Sequence, residues 1–251
     1  MKYLNLQVLF NQALTSDIFS MTIFAPEIAQ SIQPGQFAML YLPNGELLLP
    51  RPISICDVEE DTVTFVYQVV GAGTKVLANI NSGEQIRTLA PLGKGFLLGE
   101  SARTPLKKVA VVGGGIGVAP LLLLTKSLAL QGASVDVFLG FRDTPVLLRE
   151  FDALANVHVA TETGSEGHKG YVTELLQQAM VNGYDEILTC GPRPMLDAVA
   201  AIAKNSGIPC QLSMEERMAC GMGTCVGCVL SVEGTYMQIC TEGPVFYSDK
   251  L

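Results

Sequence analysis

The sequence predicts a multi-domain β plus α/β protein. An antiparallel β-barrel is expected over residues 1–100, a parallel-sheet α/β nucleotide-binding domain over 101–208, and a small cysteine-rich domain over 209–251. Three observations predict it. Short alternating apolar and polar runs, separated by turn residues, fill the first hundred positions, as in a small antiparallel barrel. From residue 109 apolar strands alternate with glycine turns and helical stretches, which indicates a parallel sheet. Near the C-terminus, four of the seven cysteines take the spacing C-x4-C-x2-C-x11-C.

The barrel strands are read from period-two alternation. Leu4–Leu9, Ile18–Phe24, Gln36–Leu42 and Thr62–Val70 are the expected strands, and Gln33-Pro34-Gly35, Pro43-Asn44-Gly45 and Glu59-Glu60-Asp61 the turns. Arg51-Pro52-Ile53-Ser54 falls between two of these strands. Gly71-Ala72-Gly73-Thr74 opens a short helix expected over Thr74–Ala78. An arginine and hydroxyls opposite a glycine-rich helix start suit a pyrophosphate, because the guanidinium gives bidentate contacts and the amides add donors. The plainer alternative is an edge-strand turn with a surface arginine.

Ser101–Lys107 is polar and contains a proline, as a linker does. Val109–Val112 is a continuous apolar strand, and Gly113-Gly114-Gly115-Ile116-Gly117-Val118-Ala119-Pro120 leads into a helix through Leu130. Strand, glycine turn and helix open a nucleotide-binding unit in which the backbone approaches a phosphate closely; a βα turn without a ligand is the alternative. Proline stands where a third glycine or alanine is usual. Asp136, about twenty residues on, lies inside the next strand (Ser134–Leu139) and is not assigned to a ribose; Gly140-Phe141-Arg142-Asp143 at the strand end is better placed. Val157–Thr161, a glycine-bearing loop, a helix from Val172, the strand end Cys190-Gly191-Pro192 and a helix over Pro194–Lys204 complete the alternation.

The first three cysteines match the plant-type spacing for a 2Fe–2S cluster, with the fourth thiolate arriving later in the chain. Two irons bridged by sulfide need four thiolates, and Gly221, Gly223 and Gly227 let a short loop wrap them. A structural zinc site usually shows two C-x2-C pairs, and there is one here. Disulfides are disfavoured in a reducing compartment.

Composition bounds the rest. The chain has 251 residues, 49% hydrophobic and 16% charged, with a net charge of −8 and no basic cluster, which argues against nucleic acid and anionic membranes. The longest apolar run, Val118–Leu124, contains Pro120 and is too short for a bilayer. The start lacks a signal peptide's apolar core, so a cytoplasmic location is expected. His158 and His168, the two histidines, read as ordinary surface residues.

A nicotinamide gives up a hydride, two electrons at once, whereas a 2Fe–2S cluster takes one. If the glycine turn binds NAD and the cysteines bind iron, a flavin is required between them, and the barrel supplies a place for it.

The R-x-x-S of Arg51–Ser54, the G-x-G-x-x-P of Gly115–Pro120 and the C-G-P of Cys190–Pro192 together resemble the ferredoxin–NADP reductase superfamily. The tail, Met214-Glu215-Glu216-Arg217-Met218-Ala219-Cys220 through Cys228 and Cys240-Thr241-Glu242-Gly243-Pro244-Val245-Phe246, closely resembles the electron-transfer subunits of type B dihydroorotate dehydrogenases. The resemblance implies FAD contacts at Arg51, Pro52, Ile53, Ser54, Val66, Tyr67, Gln68, Gly73 and Thr74. It implies cluster ligation by Cys220, Cys225, Cys228 and Cys240, and NAD contacts at Gly115, Gly117, Cys190 and Gly191. Ile53 stands where the superfamily commonly has tyrosine, which leaves aromatic stacking on the flavin unassigned there. Glu242–Phe246 is expected to approach the flavin face. No catalytic base or nucleophile is assigned. The implied partner is an FMN-containing catalytic subunit in a two-plus-two heterotetramer. Electrons would pass from its FMN through 2Fe–2S and FAD to NAD during pyrimidine biosynthesis. The alternatives are an NAD(P)H–ferredoxin or hydrogenase-type flavin and iron–sulfur reductase subunit, and a zinc-containing interaction module.

Overall fold

The computed structural model describes residues 1–43, 45, 47–99 and 106–251. Most of the expected linker (Ser101–Pro105), and Asn44 of the expected turn, lie outside the described residues. The chain forms two compact units. One comprises Met1–Gly95 with Glu215–Pro244, the other Phe96–Met214 with Val245–Leu251.

In the first unit, β1 (Lys2–Ala13), β2 (Ile18–Phe24), β3 (Phe37–Tyr41), β4 (Arg51–Glu59), β5 (Thr62–Gln68) and β6 (Gln85–Leu92) close a barrel in the order β1-β2-β5-β4-β3-β6. Every neighbouring pair is antiparallel. Alternation sets the register of β2 on β5: Met21 faces Phe65 and Ile23 faces Val63, all fully buried. Thr22 and Thr64, a position along, pair hydroxyls at 2.9 Å on the other face. The helix α1 (Ala72–Ala78) joins β5 to β6.

Arg51–Ser54 is the first half of β4, not a connection between strands. These four residues pair with β3 alone (Leu40↔Arg51 to Phe37↔Ser54), while the ladder to β5 begins only at Ile55↔Phe65. Pro52 has no amide hydrogen for a second neighbour and sits where the strand has one neighbour. The β4–β5 seam is therefore open beside Arg51–Ser54 and Val66–Gln68.

In the second unit, β7 (Lys108–Gly114), β8 (Ser134–Phe141), β9 (Asn156–Thr161), β10 (His168–Lys169), β11 (Glu186–Cys190) and β12 (Cys210–Ser213) are parallel and ordered β10-β9-β8-β7-β11-β12. Residues 109–114 of β7 are all buried, which explains its unbroken apolar sequence. The helices are α2 (Ala119–Leu130), α3 (Leu148–Asp152), α4 (Val172–Ala179) and α5 (Arg193–Ser206). Leu121, Leu122, Leu123 and Leu124 of α2 are all buried, so that helix lacks a polar stripe. The chain proceeds outward from β7 through β8 and β9, then returns to the other side of β7 with β11. The switch point lies between β7 and β11, where open α/β sheets bind ligands.

After β12 the chain rejoins the first unit. There β13 (Val229–Val232) and β14 (Thr235–Gln238) form a hairpin turned by Glu233 and Gly234, both at positive φ. Then α6 (Ile239–Glu242) precedes β15 (Val245–Tyr247), which adds antiparallel to β12. Neither β12 nor β15 shows a periodic pattern in the sequence, since each is a short segment lying in an almost wholly buried sheet edge. Among the described residues, no helix is long and apolar enough to cross a membrane.

Candidate functional site

The thiol loop. Cys220 to Cys228 forms an irregular loop on the barrel, with Gly221 at φ +71° and Gly223 at φ +82°. A Cβ at Gly221 would lie 2.5 Å from Met39 Cγ of β3 and 3.2 Å from Leu92 of β6, so the loop rests directly on barrel strands. Gly223 is hemmed in by Gln238 and Thr241. Gly227 differs from both: a Cβ there would meet only the Cys225 sulfur, at an ordinary 3.5 Å.

Backbone amides are aimed at sulfur. The N–H groups of Met222 and Cys225 donate to Cys220 Sγ, each at 3.4 Å, and that of Cys240 donates to Cys228 Sγ at 3.4 Å. Burial raises the Cys220 thiol's pKa, but the amides of Met222, Cys225 and Thr224 and the Cys225 side chain outweigh it and bring it down to about 7. Cys240 is pushed up to about 12 by burial and by the neighbouring Cys228 thiol.

Cys220 hydrogen-bonds with Cys225 and Cys228 with Cys240, and the charge of Cys220 reaches Cys240 as well, so the four thiols form one group. Among the described residues no three His, Cys, Asp or Glu side chains close into a single-ion metal set, and no disulfide joins any cysteine. Two thiols for each of two irons, with amides pointing at the sulfurs, fit a 2Fe–2S cluster.

The barrel seam. Arg51 and Gly73 come together as the sequence suggests. Gly73 lies against the guanidinium, and any Cβ there would overlap the Arg51 side chain. Arg51 Nη1 donates to the Leu49 carbonyl at 2.6 Å, which holds the side chain at the seam. The hydroxyl of Thr74 accepts from the amides of Val70 and Gly71 and is buried, so it shapes the turn before α1 rather than presenting itself to solvent.

The side chains of Val66 and Tyr67 are also buried. Tyr67 stacks on Phe19 and donates from its hydroxyl to Asn11 Oδ1, and burial pushes its phenol up to about 12. Gln68 is half-exposed and donates to Asp17 at 2.7 Å. An open strand edge with an arginine over a glycine fits a flavin nucleotide: the edge offers backbone donors and acceptors, and the guanidinium offers charge for the phosphates. The segment Glu242–Phe246 runs from the end of α6 into β15, and the Lys94 N–H donates to its Gly243 carbonyl at 2.5 Å.

The nucleotide cleft. A cleft of about 510 Å³ opens at the carboxyl ends of β7, β8, β9 and β11. It is lined by Gly114, Gly115, Arg142, Glu162, Tyr171 and Met195, among others. Gly115 adopts φ +54°. Gly117 packs on the C-G-P segment, since a Cβ on it would lie 2.6 Å from Gly191 Cα and 2.7 Å from the Cys190 carbonyl oxygen. The two glycine motifs that stand out in the sequence are therefore in contact, across the switch point.

Arg142 lines the cleft and Asp136 does not. The Asp136 carboxylate accepts from Tyr184 at 2.7 Å and Asn156 at 2.9 Å. Glu162, Tyr171 and Met195 escape a reading of the sequence. They come from loops and a helix face, and only the rule that ligands sit at strand ends points to Glu162, which directly follows β9.

Of the histidines, His158 stacks on Phe138 at 4.7 Å and His168 pairs with Glu174 at 2.7 Å. A second hollow, about 580 Å³, lies at the start of β12 beside the end of α5. It is at the opposite ends of the parallel strands from the switch point and holds none of the sequence-predicted residues.

A closed antiparallel barrel with an open seam, and a parallel sheet with a cleft at its switch point, define an oxidoreductase of the ferredoxin–NADP reductase type, here extended by a four-thiol loop. Comparisons with known proteins agree. Residues 215–251 match the iron–sulfur cluster binding domain of dihydroorotate dehydrogenase B, and residues 111–201 match the oxidoreductase NAD-binding domain. The dihydroorotate dehydrogenase B (NAD(+)) electron transfer subunit of Caldanaerobacter subterraneus subsp. tengcongensis is 38% identical, covering 98% of this chain and 96% of that one. Its counterpart from Shouchella clausii is 41% identical, covering 92% and 90%. A solved NADH-dependent reduced ferredoxin-NADP oxidoreductase superposes with a TM-score of 0.88 at 25% identity, over 100% of this chain and 90% of that one. The chain belongs to the family of dihydroorotate dehydrogenase B (NAD(+)) electron transfer subunits.

Proposed function

We propose that this chain carries electrons between NAD, bound in the cleft of the second unit, and an FMN-containing catalytic subunit that oxidises dihydroorotate. The relay uses a 2Fe–2S cluster held by Cys220, Cys225, Cys228 and Cys240 and an FAD at the barrel seam. FAD supplies the exchange between hydride and single-electron transfer. By function the chain divides into a flavin module (1–100), a nucleotide module (101–208) and a cluster module (209–251). Two copies of each subunit would form the working assembly.

One observation carries this reading. The thiol loop rests on Met39, and Met39 is the cross-strand partner of Pro52 in the R-x-x-S segment. Gly221 of the thiol loop thus rests on the strand that pairs with the segment proposed for the flavin, and paired strands lie roughly 5 Å apart. Arg51 with Gly73 would hold the flavin's phosphates. The open backbone edges at Ser54 and Val66–Gln68 would position its ring system. Amides of Met222, Cys225 and Cys240 would tune the cluster through its sulfurs.

The test is reconstitution. The isolated chain, loaded with flavin and cluster, oxidises NADH with an artificial acceptor and leaves dihydroorotate unchanged; adding the catalytic subunit restores orotate-linked turnover. Orotate formation by this chain alone overturns the division of labour.

The likeness to a ferredoxin-NADP oxidoreductase favours a second reading, in which the partner is a ferredoxin-handling subunit. Co-purification discriminates: an FMN protein supports the first reading, and an iron–sulfur partner lacking FMN supports the second.

A further inference from the structure

We infer that Glu242 is a positioning residue for the cluster: its carboxylate closes the turn that carries Cys240 and so fixes where the fourth thiolate stands. The inference rests on the reading of Cys240 as a cluster ligand.

The need for such a residue arises at the end of the hairpin. The ladder of β13 and β14 ends on the register pair Val229↔Gln238. One step beyond, the Ile239 N–H still donates to the Cys228 carbonyl at 2.9 Å. Alternate residues of an antiparallel strand bond to the same neighbour, so the Gln238 N–H points away from β13. Past Ile239 the chain leaves the ladder and coils through α6, which has only four residues. A turn this short does not hold itself, because fixing the first turn of a helix costs more than its one hydrogen bond returns.

Glu242 supplies the closure. Its Oε2 accepts from the Gln238 N–H at 2.9 Å, reaching back over four residues. The amides at a helix start have no partner within the helix, and a carboxylate there accepts a charge-assisted bond. Gln238 does not cap α6 with its own side chain. Its Oε1 accepts instead from the Thr241 hydroxyl at 3.4 Å and lies against Gly223 of the thiol loop. The backbone just after Glu242 is fastened to the barrel by the bond from Lys94 N–H to the Gly243 carbonyl.

Cys240 is therefore in the middle of a closed segment whose two ends are Gln238 and Glu242. Within it, the Cys240 N–H donates to Cys228 Sγ at 3.4 Å, and the Gly223 amide bonds to the Cys240 thiol. Cutting the bond between Gln238 and Glu242 leaves those sulfur contacts on a turn that is free to uncoil. Glu242 is exposed and Cys240 is buried, so the carboxylate acts on the thiol through the backbone turn.

The test uses the full chain loaded with its cluster and the variants Glu242→Gln, Glu242→Asp and Glu242→Ala, with Cys240→Ala alongside. Glutamine keeps an acceptor oxygen at the same reach without the charge. Aspartate keeps the charge but is a methylene too short, and alanine keeps neither. Iron content, the rate at which bathophenanthroline bleaches the cluster absorbance, and the EPR spectrum of the dithionite-reduced chain are measured. Thermal melting and flavin absorbance show which variants are folded. Glu242→Ala and Glu242→Asp are expected to lose the cluster about three- to tenfold faster than the parent, the range that one hydrogen bond is worth. Their EPR lines should broaden, since Cys240 no longer has a single position. Glu242→Gln should stay within about twofold of the parental rate and keep the parental spectrum. Should Glu242→Ala not fold, the contrast between glutamine and aspartate decides in the same way. Parental rates and spectra in every folded Glu242 variant overturn the inference. So does the reverse pattern, aspartate parental and glutamine labile, because charge and not reach would then be at work. Cys240→Ala separates the two levels. Iron lost there, with the Glu242 variants parental, overturns this inference alone; iron retained there overturns the ligand reading and this inference with it.

Discussion

The thiol loop and the nucleotide cleft are built by different structural means. The loop is a local object: three of its four cysteines fall within nine residues, and its shape comes from left-handed glycines and amides aimed at sulfur. The cleft is assembled from the ends of four parallel strands that are far apart in sequence. Its key contact sets the turn at Gly117 against the distant turn at Gly191. The loop should therefore fail all at once when a ligand is lost, whereas the cleft should fail gradually, one wall at a time.

The largest effect is expected from Cys228→Ser. It removes a buried thiol from the Cys228–Cys240 pair. Cluster absorbance and iron content should be lost, and turnover linked to the catalytic subunit should fall by about 100-fold or more. NADH oxidation by an artificial acceptor that takes electrons from the flavin should persist. If iron content and coupled turnover both survive, Cys228 is not a ligand, and the all-or-none half of the contrast breaks.

Gly117→Val comes next. Its Cβ would meet Gly191 and the Cys190 carbonyl at 2.6–2.7 Å, and both are backbone atoms that cannot rotate away. The displaced turn should lower kcat/KM for NADH by about 10- to 100-fold, as small misplacements in a binding site do. Iron content and cluster spectrum should not change. Loss of the cluster in this variant would show that the two regions are not separable.

The same difference explains what the sequence makes legible. The cysteine spacing points to a cluster because the candidate thiols are close in the chain and chemistry fixes the number a cluster needs. The β7 turn is legible because glycine repeats mark a close backbone approach. Arg51–Ser54 reads as a connection because arginine and proline weaken a strand pattern. Pairing with β3 on one side only makes both residues acceptable there. Glu162 and Met195 give no local signal, since the neighbours that make them walls of the cleft are supplied by the parallel topology. In the same way β15 is illegible: its three residues are a strand only because β12 accepts them.

A finer test separates the loop's glycines, which look alike in the sequence. Gly223→Ala places a Cβ at φ +82° against Gln238 and Thr241, and should cost about 1–3 kcal/mol. Gly227→Ala meets only the Cys225 sulfur at van der Waals distance and should cost about 0.5 kcal/mol or less. Melting temperature, and the temperature at which cluster absorbance bleaches, measure both. Equal losses would mean that the loop's left-handed geometry does not govern its stability.

The smallest effect is expected at Asp136, and it is a dependence on pH. Burial pushes this carboxyl up, but the hydrogen bonds from Tyr184 and Asn156 and the charges of His158 and Lys108 outweigh it and leave its pKa below the usual carboxylate value. A depressed native pKa means that the folded state binds the proton less readily than the unfolded chain. The stabilisation is thus present above the unfolded pKa of about 3.9 and is lost as pH falls through the lower native value. Asp136 is partly exposed, so solvent screening limits the contribution to about 0.5–1 kcal/mol. Asp136→Asn should be less stable than the parent chain by that amount near pH 7, and urea unfolding should show the gap closing as pH falls below the unfolded carboxylate pKa of about 3.9. Its preference for NADH over NADPH should stay within about twofold of the parent, because the strand-interior acid faces Tyr184 and not the cleft. A change in that preference would place a ribose-reading role inside β8, and the cleft would then have to be redrawn around a residue that its walls do not include.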